Sequence, residues 1–232
     1  MRNDFAPLEA CPEVFDKYAK ELGQNNVVFQ DLLAWEEWAY DQLAKPVVGV
    51  IVTIPLTSKI CHFRDTDARY TASKKFSPNV WFARQNLRNT CGTVALLHLL
   101  NNINEKVALS EGSILEQMRK KTLRASPAER GALIEKTDHI KDLHTTFESQ
   151  GQSSVRMDDV DNMCHYITFV IVDGELYELD GTLKYPVNHG ETAPKDLLNR
   201  VEEIVQGTLF ALEPDNLNCA AIVASIKHGS EE

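Results

Sequence analysis

The dipeptide Asp173-Gly174 lies between two apolar runs, Tyr166 to Val172 and Glu175 to Leu179. Aspartate and glycine tolerate the positive φ values that a two-residue type I′ turn needs, and this turn matches the right-handed twist of paired strands. A hairpin is therefore predicted, with these two residues as its loop. The register follows from the turn: Val172 faces Glu175, Ile167 faces Asp180 and His165 faces Thr182. Side chains two apart on a strand share a face. His165, Ile167, Asp180 and Thr182 are thus placed on one side of the ribbon. His165 and Asp180 become diagonal neighbours with Cα atoms roughly 7–8 Å apart, close enough for their side chains to hydrogen-bond. A longer turn or a bulge would shift the register and undo this pairing.

The apolar segment Cys91 to Ile103 is continuous, and its length predicts a helix buried on most sides, with Thr90 as N-cap. Pro12 to Leu22 predicts a helix with Phe15, Tyr18 and Leu22 on one face and Gly23 as its stop. Further helices are predicted over Ser110 to Leu123, from the capping box Ser126-Pro127-Ala128-Glu129, over His139 to Glu148 and over Pro194 to Gln206. The run Val47 to Val52, between Pro46 and Pro55, reads as a buried strand. Val80-Trp81-Phe82 reads as a short strand and Ala220 to Ile226 as a final one. Thr57 to Asn79 is polar and irregular and reads as a surface loop. Ser149 to Met163 is a long polar loop without periodicity, and such loops in compact domains are functional or disordered. Strands and helices intermix without a repeat or a low-complexity linker. Residues 1–232 are therefore expected to form one mixed α/β domain.

The formal net charge is -10, which disfavours nucleic acid and favours a basic partner, although many soluble proteins are equally acidic. Cys11, Cys61, Cys91, Cys164 and Cys219 are odd in number, scattered and free of any C-x-x-C pair. Neither a disulfide framework nor a metal site is expected. The first residues do not lead into an apolar signal segment, and no apolar run is long enough to cross a bilayer. The expectation is a soluble protein without membrane attachment in a reducing compartment: cytoplasmic, with the nucleus left open.

Cys91 carries the first candidate chemistry. A helix N-terminus offers free N–H groups and positive potential, both of which stabilise a thiolate. Gly92 is expected to leave room for a substrate backbone. Simple packing is the competing reading of a cysteine in an apolar helix. His165 and Asp180 add a base and its orienting carboxylate, completing the parts of a cysteine nucleophile system. Gln85, six residues before Cys91, is placed to aim a side-chain N–H at a developing oxyanion together with the Cys91 N–H, or is an ordinary loop residue.

At these residues the chain resembles the ubiquitin C-terminal hydrolases, the papain-like thiol proteases of the ubiquitin system. Gln85-Asn86-Leu87-Arg88-Asn89-Thr90-Cys91-Gly92-Thr93 looks like the nucleophile block. His165-Tyr166-Ile167-Thr168-Phe169-Val170 and Asp173 to Gly181 look like the histidine and aspartate block. Asn188-His189-Gly190-Glu191-Thr192 and the opening Pro7-Leu8-Glu9-Ala10-Cys11-Pro12-Glu13-Val14 are also similar. The match spans essentially the whole chain and looks closest to the short, single-domain isozyme type, similar to isozyme L3. Cys164, directly before the histidine, departs from the pattern and is either incidental or an oxidation site.

The resemblance implies Cys91 as nucleophile, His165 as general base and acid, Asp180 as orienter and Gln85 as oxyanion donor, with no cofactor. It implies a papain-like fold, a mostly antiparallel central sheet flanked by helices, with a knotted backbone. The loop at about 149–163 would cross over the active site and limit the leaving group. The partner implied is ubiquitin, with NEDD8 as second candidate, acted on by a monomer. Glu9, Glu13 and Asp31 map to acidic positions that meet basic residues near ubiquitin's C-terminal tail, and each is equally an ordinary solvated carboxylate. The alternatives are a ubiquitin-binding module without turnover, a general thiol protease, and a structural or zinc-binding protein.

Overall fold

The computed structural model describes residues 5–71, 76–103, 106–150, 164–216 and 219–227. Along the chain run α1 (Pro12–Leu22), β1 (Val27–Asp31), α2 (Glu37–Asp41), β2 (Val47–Pro55), α3 (Ser58–Thr66), α4 (Ala68–Thr71) and α5 (Cys91–Asn102). Then follow α6 (Ile114–Thr122), α7 (Pro127–Lys136), α8 (Asp138–Glu148), β3 (Cys164–Val172), β4 (Glu175–Leu179) and β5 (Val187–Glu191). The last elements are a 3-10 turn at Pro194–Asp196, α9 (Leu197–Ile204), a π-helical turn at Val205–Phe210 and β6 (Ala221–Ile226).

The predicted hairpin forms. Asp173 and Gly174 take φ values of 51° and 80°, and the antiparallel ladder runs from Val172–Glu175 to Thr168–Leu179. β3 then pairs with β2 on its other side, so that Ile54 faces His165. The six strands form one sheet in the order β1-β6-β2-β3-β4-β5, and every neighbouring pair is antiparallel.

Both faces of β3 are covered, which explains its near-continuous apolar run. Tyr166, Val170 and Val172 join one core with Phe15, Tyr18 and Leu22 of α1 and Leu96, Leu99 and Leu100 of α5. Ile167, Phe169 and Ile171 join a second core with Leu197, Leu198, Val201 and Ile204 of α9. Every residue of α5 is buried. Thr168 on β3 donates its hydroxyl to the Ala95 carbonyl at 2.8 Å, tying sheet to helix. α1 ends as read: Gly23 at φ 100° caps it, and its N–H reaches back to Lys20 O. The capping box at Ser126 and Glu129 is present in full.

Several expectations are corrected. Val80-Trp81-Phe82 is buried but makes no strand. Its Val80 N–H donates to Ser77 O at 3.1 Å, and side chains take up other backbone groups in place of a ladder. Asn102 accepts from Trp81 N–H and donates to Trp81 O, both at 2.8 Å. Arg130 donates to Val80 O and Phe82 O at 3.3 Å, and His98 holds the backbone of Ala83. The segment 57–79, read as a loop, contains α3 and α4, with Thr57 capping α3 by accepting from Ile60 N–H. The helix read over 110–123 is trimmed to α6, capped by Ser113. β1, α2 and β5 carried too few alternating apolar residues to be read. Of the loop at 149–163, residues 151–163 lie outside the described residues.

Gly131 of α7 sits against the irregular 80–85 segment: a Cβ there would lie 2.2 Å from Arg84 O. Backbone cannot yield as a flexible side chain does, and overpacking costs about 1–3 kcal/mol. Gly131→Ala is expected to lower the urea midpoint by a corresponding amount and to reduce turnover, because the displaced residue precedes Gln85. An unchanged midpoint would show that the segment yields freely.

Candidate active site

The chain reaches Cys91 through a tight turn. Asn89 sits in the left-handed region at φ 62° and donates its side-chain amide to Phe5 O at 2.7 Å. Leu87 O accepts from Thr90 Oγ1 at 2.8 Å and from Gln85 Nε2 at 3.0 Å. Thr90 occupies the N-cap position, but its hydroxyl bonds backward and caps no helical N–H, which corrects the capping expectation. The positive end of α5 is left for the thiol. Gly92 N–H and Tyr166 N–H both donate to Cys91 Sγ. The room expected at Gly92 is filled by the protein itself: a Cβ there would lie 3.1 Å from Leu8 Cβ and Cδ1. Leu8 is fixed in turn by Tyr166, whose hydroxyl donates to Leu8 O at 2.8 Å.

His165 opens onto both partners. Its Nε2 is 2.7 Å from Asp180 Oδ1, and its side chain lies close enough to the Cys91 thiol to lower its pKa. With Nε2 taken, Nδ1 is the nitrogen left for Cys91. Asp180 Oδ1 also accepts from the N–H of Thr182 at 2.8 Å and its hydroxyl at 2.7 Å. This corrects the expected pairing of Thr182 with His165: β4 ends at Leu179, and Asp180 to Leu183 is a turn closed by Leu183 N–H on Asp180 O, so Thr182 reaches Asp180 as a local turn contact. Cys91, His165 and Asp180 are all buried.

The electrostatics follow from that burial and its compensation. Burial alone would raise the Cys91 thiol, but the hydrogen bond and charge of His165, with the Tyr166 and Gly92 N–H groups, outweigh it and bring it below its ordinary value. Burial resists protonation of His165, yet Asp180 and then Cys91 overcome this and raise it to about 10. Burial would raise Asp180, but the charges of His165 and Arg64 hold it well below the usual carboxylate range. The arrangement favours a thiolate–imidazolium pair. Cys164 is different: burial raises its thiol, with the nearby Cys91 adding to the effect.

Gln85 is bound at both ends. Its N–H donates to Gly181 O at 2.8 Å, and its side-chain Nε2 gives one hydrogen to Leu87 O, which leaves a second. Among the described residues, Glu13 and Asp31 make no hydrogen bond or ion pair with Cys91, His165 or Asp180. Glu13 on α1 is exposed and accepts from Cys11 Sγ at 2.9 Å, and Asp31 ends β1. Partial burial and then Glu13 raise Asp31, so these two carboxylates sense each other. Glu9 lies close enough to Tyr166 to act on its hydroxyl.

Sequence reasoning missed three residues. Arg64 of α3 places NH2 2.5 Å from Asp180 Oδ2 and NH1 2.9 Å from Glu178 Oε1. His189 Nε2 lies 3.0 Å from Glu178 Oε2. The available signal was Glu178 itself, a charge set among Leu176, Tyr177 and Leu179 and sharing the face of Asp180.

Comparison with known proteins gives the family of the chain. Residues 5–209 match the family model described as ubiquitin carboxyl-terminal hydrolase, family 1. Ubiquitin carboxyl-terminal hydrolase isozyme L1 from Homo sapiens is 34% identical over 199 residues, 85% of this chain and 88% of that protein. The isozyme L1 from Equus caballus is 36% identical over 193 residues, 83% of this chain and 85% of its own length. In fold, the chain is similar to the UCH37 catalytic domain of Trichinella spiralis bound to ubiquitin vinyl methyl ester, with a TM-score of 0.77 at 21% identity, covering 97% of this chain and 96% of that one. A helix-start cysteine joined to a strand histidine and its carboxylate thus sits in a chain that belongs to the ubiquitin carboxyl-terminal hydrolases of family 1, the cysteine-type deubiquitinases.

Proposed function

We propose that this hydrolase releases small or flexible groups from the C-terminal glycine of ubiquitin, with Cys91 as nucleophile, His165 as general base and acid, Asp180 as orienter and Gln85 as oxyanion donor. The observation that carries this reading is the placing of His165 beside the Cys91 thiol at the start of a buried helix, with its Nε2 2.7 Å from Asp180 Oδ1. The thiolate attacks the glycine carbonyl carbon. The oxyanion is met by the Cys91 N–H, which has no intrahelical acceptor, and by the free N–H of Gln85. His165 gives its proton to the leaving amine or thiol as the carbonyl re-forms, leaving a thioester on Cys91. A water, losing its proton to His165, attacks that thioester; the thiolate departs and the carboxylate product is freed.

Glu9, Glu13 and Asp31 are proposed to meet the basic residues near ubiquitin's tail, and the mutual influence of Glu13 and Asp31 supports a shared acidic face. NEDD8 is the second candidate substrate. The five free thiols fit a monomer working in the reducing cytoplasm or nucleus.

Hydrolysis of ubiquitin bearing a fluorogenic C-terminal amide tests the assignment. Cys91→Ala is expected to abolish release, and Gln85→Ala to lower kcat by about 10²–10³. Near-normal release by Cys91→Ala would sink the assignment. Ubiquitin bound but never cleaved by the intact protein would favour a binding module instead. The same amide on NEDD8 measures the preference between the two.

The pH profile of kcat/KM has a signed expectation. Activity rises as Cys91 ionises below the ordinary thiol value of about 8.5. It falls as His165 loses its proton at about pH 10. A rise only around the ordinary thiol value would show that no ion pair forms.

For the acidic face, Glu9→Lys and Asp31→Lys are expected to reduce kcat/KM mainly through KM and to flatten its dependence on salt. Unchanged salt dependence would assign these carboxylates to solvent.

A further inference from the structure

Glu178 and Asp180 project from the same face at the end of the hairpin, and each is only 1% exposed. Two buried like charges this close repel, and each would be expected to neutralise by taking a proton unless a cation stands between them. Arg64 does so. One nitrogen of its guanidinium meets Glu178 at 2.9 Å and another meets Asp180 at 2.5 Å. The guanidinium carbon lies 4.6 Å over the Tyr70 ring, so stacking fixes its plane as well. Glu178 is held from its other oxygen by His189 at 3.0 Å and by the Tyr70 hydroxyl at 3.3 Å. The carboxylate that orients His165 is thus one link in a buried line: His189, Glu178, Arg64, Asp180, His165, Cys91.

An arginine in this place helps and harms. It fixes Asp180 Oδ2, which turns Oδ1 toward His165. Its charge also competes with His165 for the same carboxylate. A lone guanidinium beside Asp180 would weaken the hold on the imidazolium. Glu178 supplies the charge that offsets it.

We propose that Arg64 and Glu178 are a positioning pair for the hydrolysis: Arg64 aims the Asp180 carboxylate at His165, and Glu178 neutralises Arg64 so that the charge of Asp180 remains available to the imidazolium. This rests on the assignment of Cys91, His165 and Asp180 to catalysis. The other groups facing the cluster are Tyr70 and Arg69 from α4, His189 from β5 and His98 from α5. Burial lowers His98 to about 4, so it stays neutral through the working range.

A merely structural role, pinning α3 to the sheet, predicts loss of amplitude without any signed change in pH dependence. Charge removal predicts opposite signs. In Glu178→Gln an anion is lost, and both limbs of the kcat/KM profile for ubiquitin fluorogenic amide move to lower pH. In Arg64→Gln a cation is lost, and both limbs move to higher pH. Each shift is about one unit for a full charge removed one link beyond Asp180 in a partly polarisable interior. The Arg64→Gln/Glu178→Gln double variant returns the limbs to near their wild-type positions. Arg64→Lys keeps the charge but not the fork, so kcat falls while the limbs stay within a few tenths of a unit.

A second readout separates the inference from the reading beneath it. Peptide-resolved alkylation of Cys91 by iodoacetamide across pH gives the midpoint of thiolate formation without any ubiquitin. An ordinary thiol midpoint in the wild type overturns the site assignment. A depressed midpoint, with limbs that Glu178→Gln and Arg64→Gln leave in place or shift in the same direction, overturns the positioning pair. Where Arg64→Gln does not fold, Glu178→Gln moving down and Arg64→Lys staying in place support the proposal. Limbs unmoved in Glu178→Gln overturn it.

Discussion

A slip of one residue between β3 and β4 would put His165 and Asp180 on opposite faces of the sheet, because strand side chains alternate strictly. The structure resists that slip in three ways. The turn admits only two residues, both with positive φ, at Asp173 and Gly174. The Asp173 carboxylate is gripped from outside by Asn79 Nδ2 at 3.0 and 3.2 Å and by the Ser77 hydroxyl. β3 is apolar on both faces, and sliding it would leave Thr168 without Ala95 and trade contacts between two separate cores. The site geometry is therefore a consequence of sheet register before it is a consequence of any local motif.

Register places the charges, and their order makes them tolerable. A buried ion is costly unless a partner of opposite sign touches it. With Cys91 ionised, the line Cys91, His165, Asp180, Arg64, Glu178 alternates in sign at every step, and no member faces its own sign as nearest neighbour. Asp180 has both oxygens occupied, one by His165 and Thr182 and the other by Arg64. Such a carboxylate cannot rotate without breaking charge-assisted hydrogen bonds, which is what keeping an imidazole in one orientation requires.

The sequence made this line legible only in part, for physical reasons that differ from residue to residue. His165 and Asp180 follow from a local turn, and local geometry propagates along a ladder. Cys91 follows from a helix start. Arg64 does not, because α3 is short and shows little apolar periodicity, and the anions that make its burial tolerable come from the far end of the chain. Val80-Trp81-Phe82 misleads for a related reason. Its hydrophobicity is that of a strand, but its hydrogen-bond partners are the side chains of His98, Asn102 and Arg130, and no periodicity announces a backbone satisfied in that way. Gly92 shows the reverse case: the glycine was visible, but that Leu8 would fill its space was not.

The irregular 80–85 segment joins the two ends of the site mechanically. Arg84 N–H donates to Pro127 O at the start of α7, and Gln85 N–H donates to Gly181 O, one residue beyond Asp180. Gly181 permits that approach, since a Cβ there would lie 2.9 Å from the Cβ of Gln85. The amide proposed to meet the oxyanion and the carboxylate proposed to orient the imidazole are therefore clipped to each other through main chain. Oxyanion stabilisation depends on donors that need no reorganisation when charge develops. A donor carried on an isolated loop would move independently of the base. Here a displacement of Gln85 must displace the end of β4, and with it the hydrogen bond that Asp180 accepts from His165. The side-chain bonds that replaced a strand at 80–82 thus leave the segment free to follow the edge of the active site, a path that a sheet ladder would not have allowed.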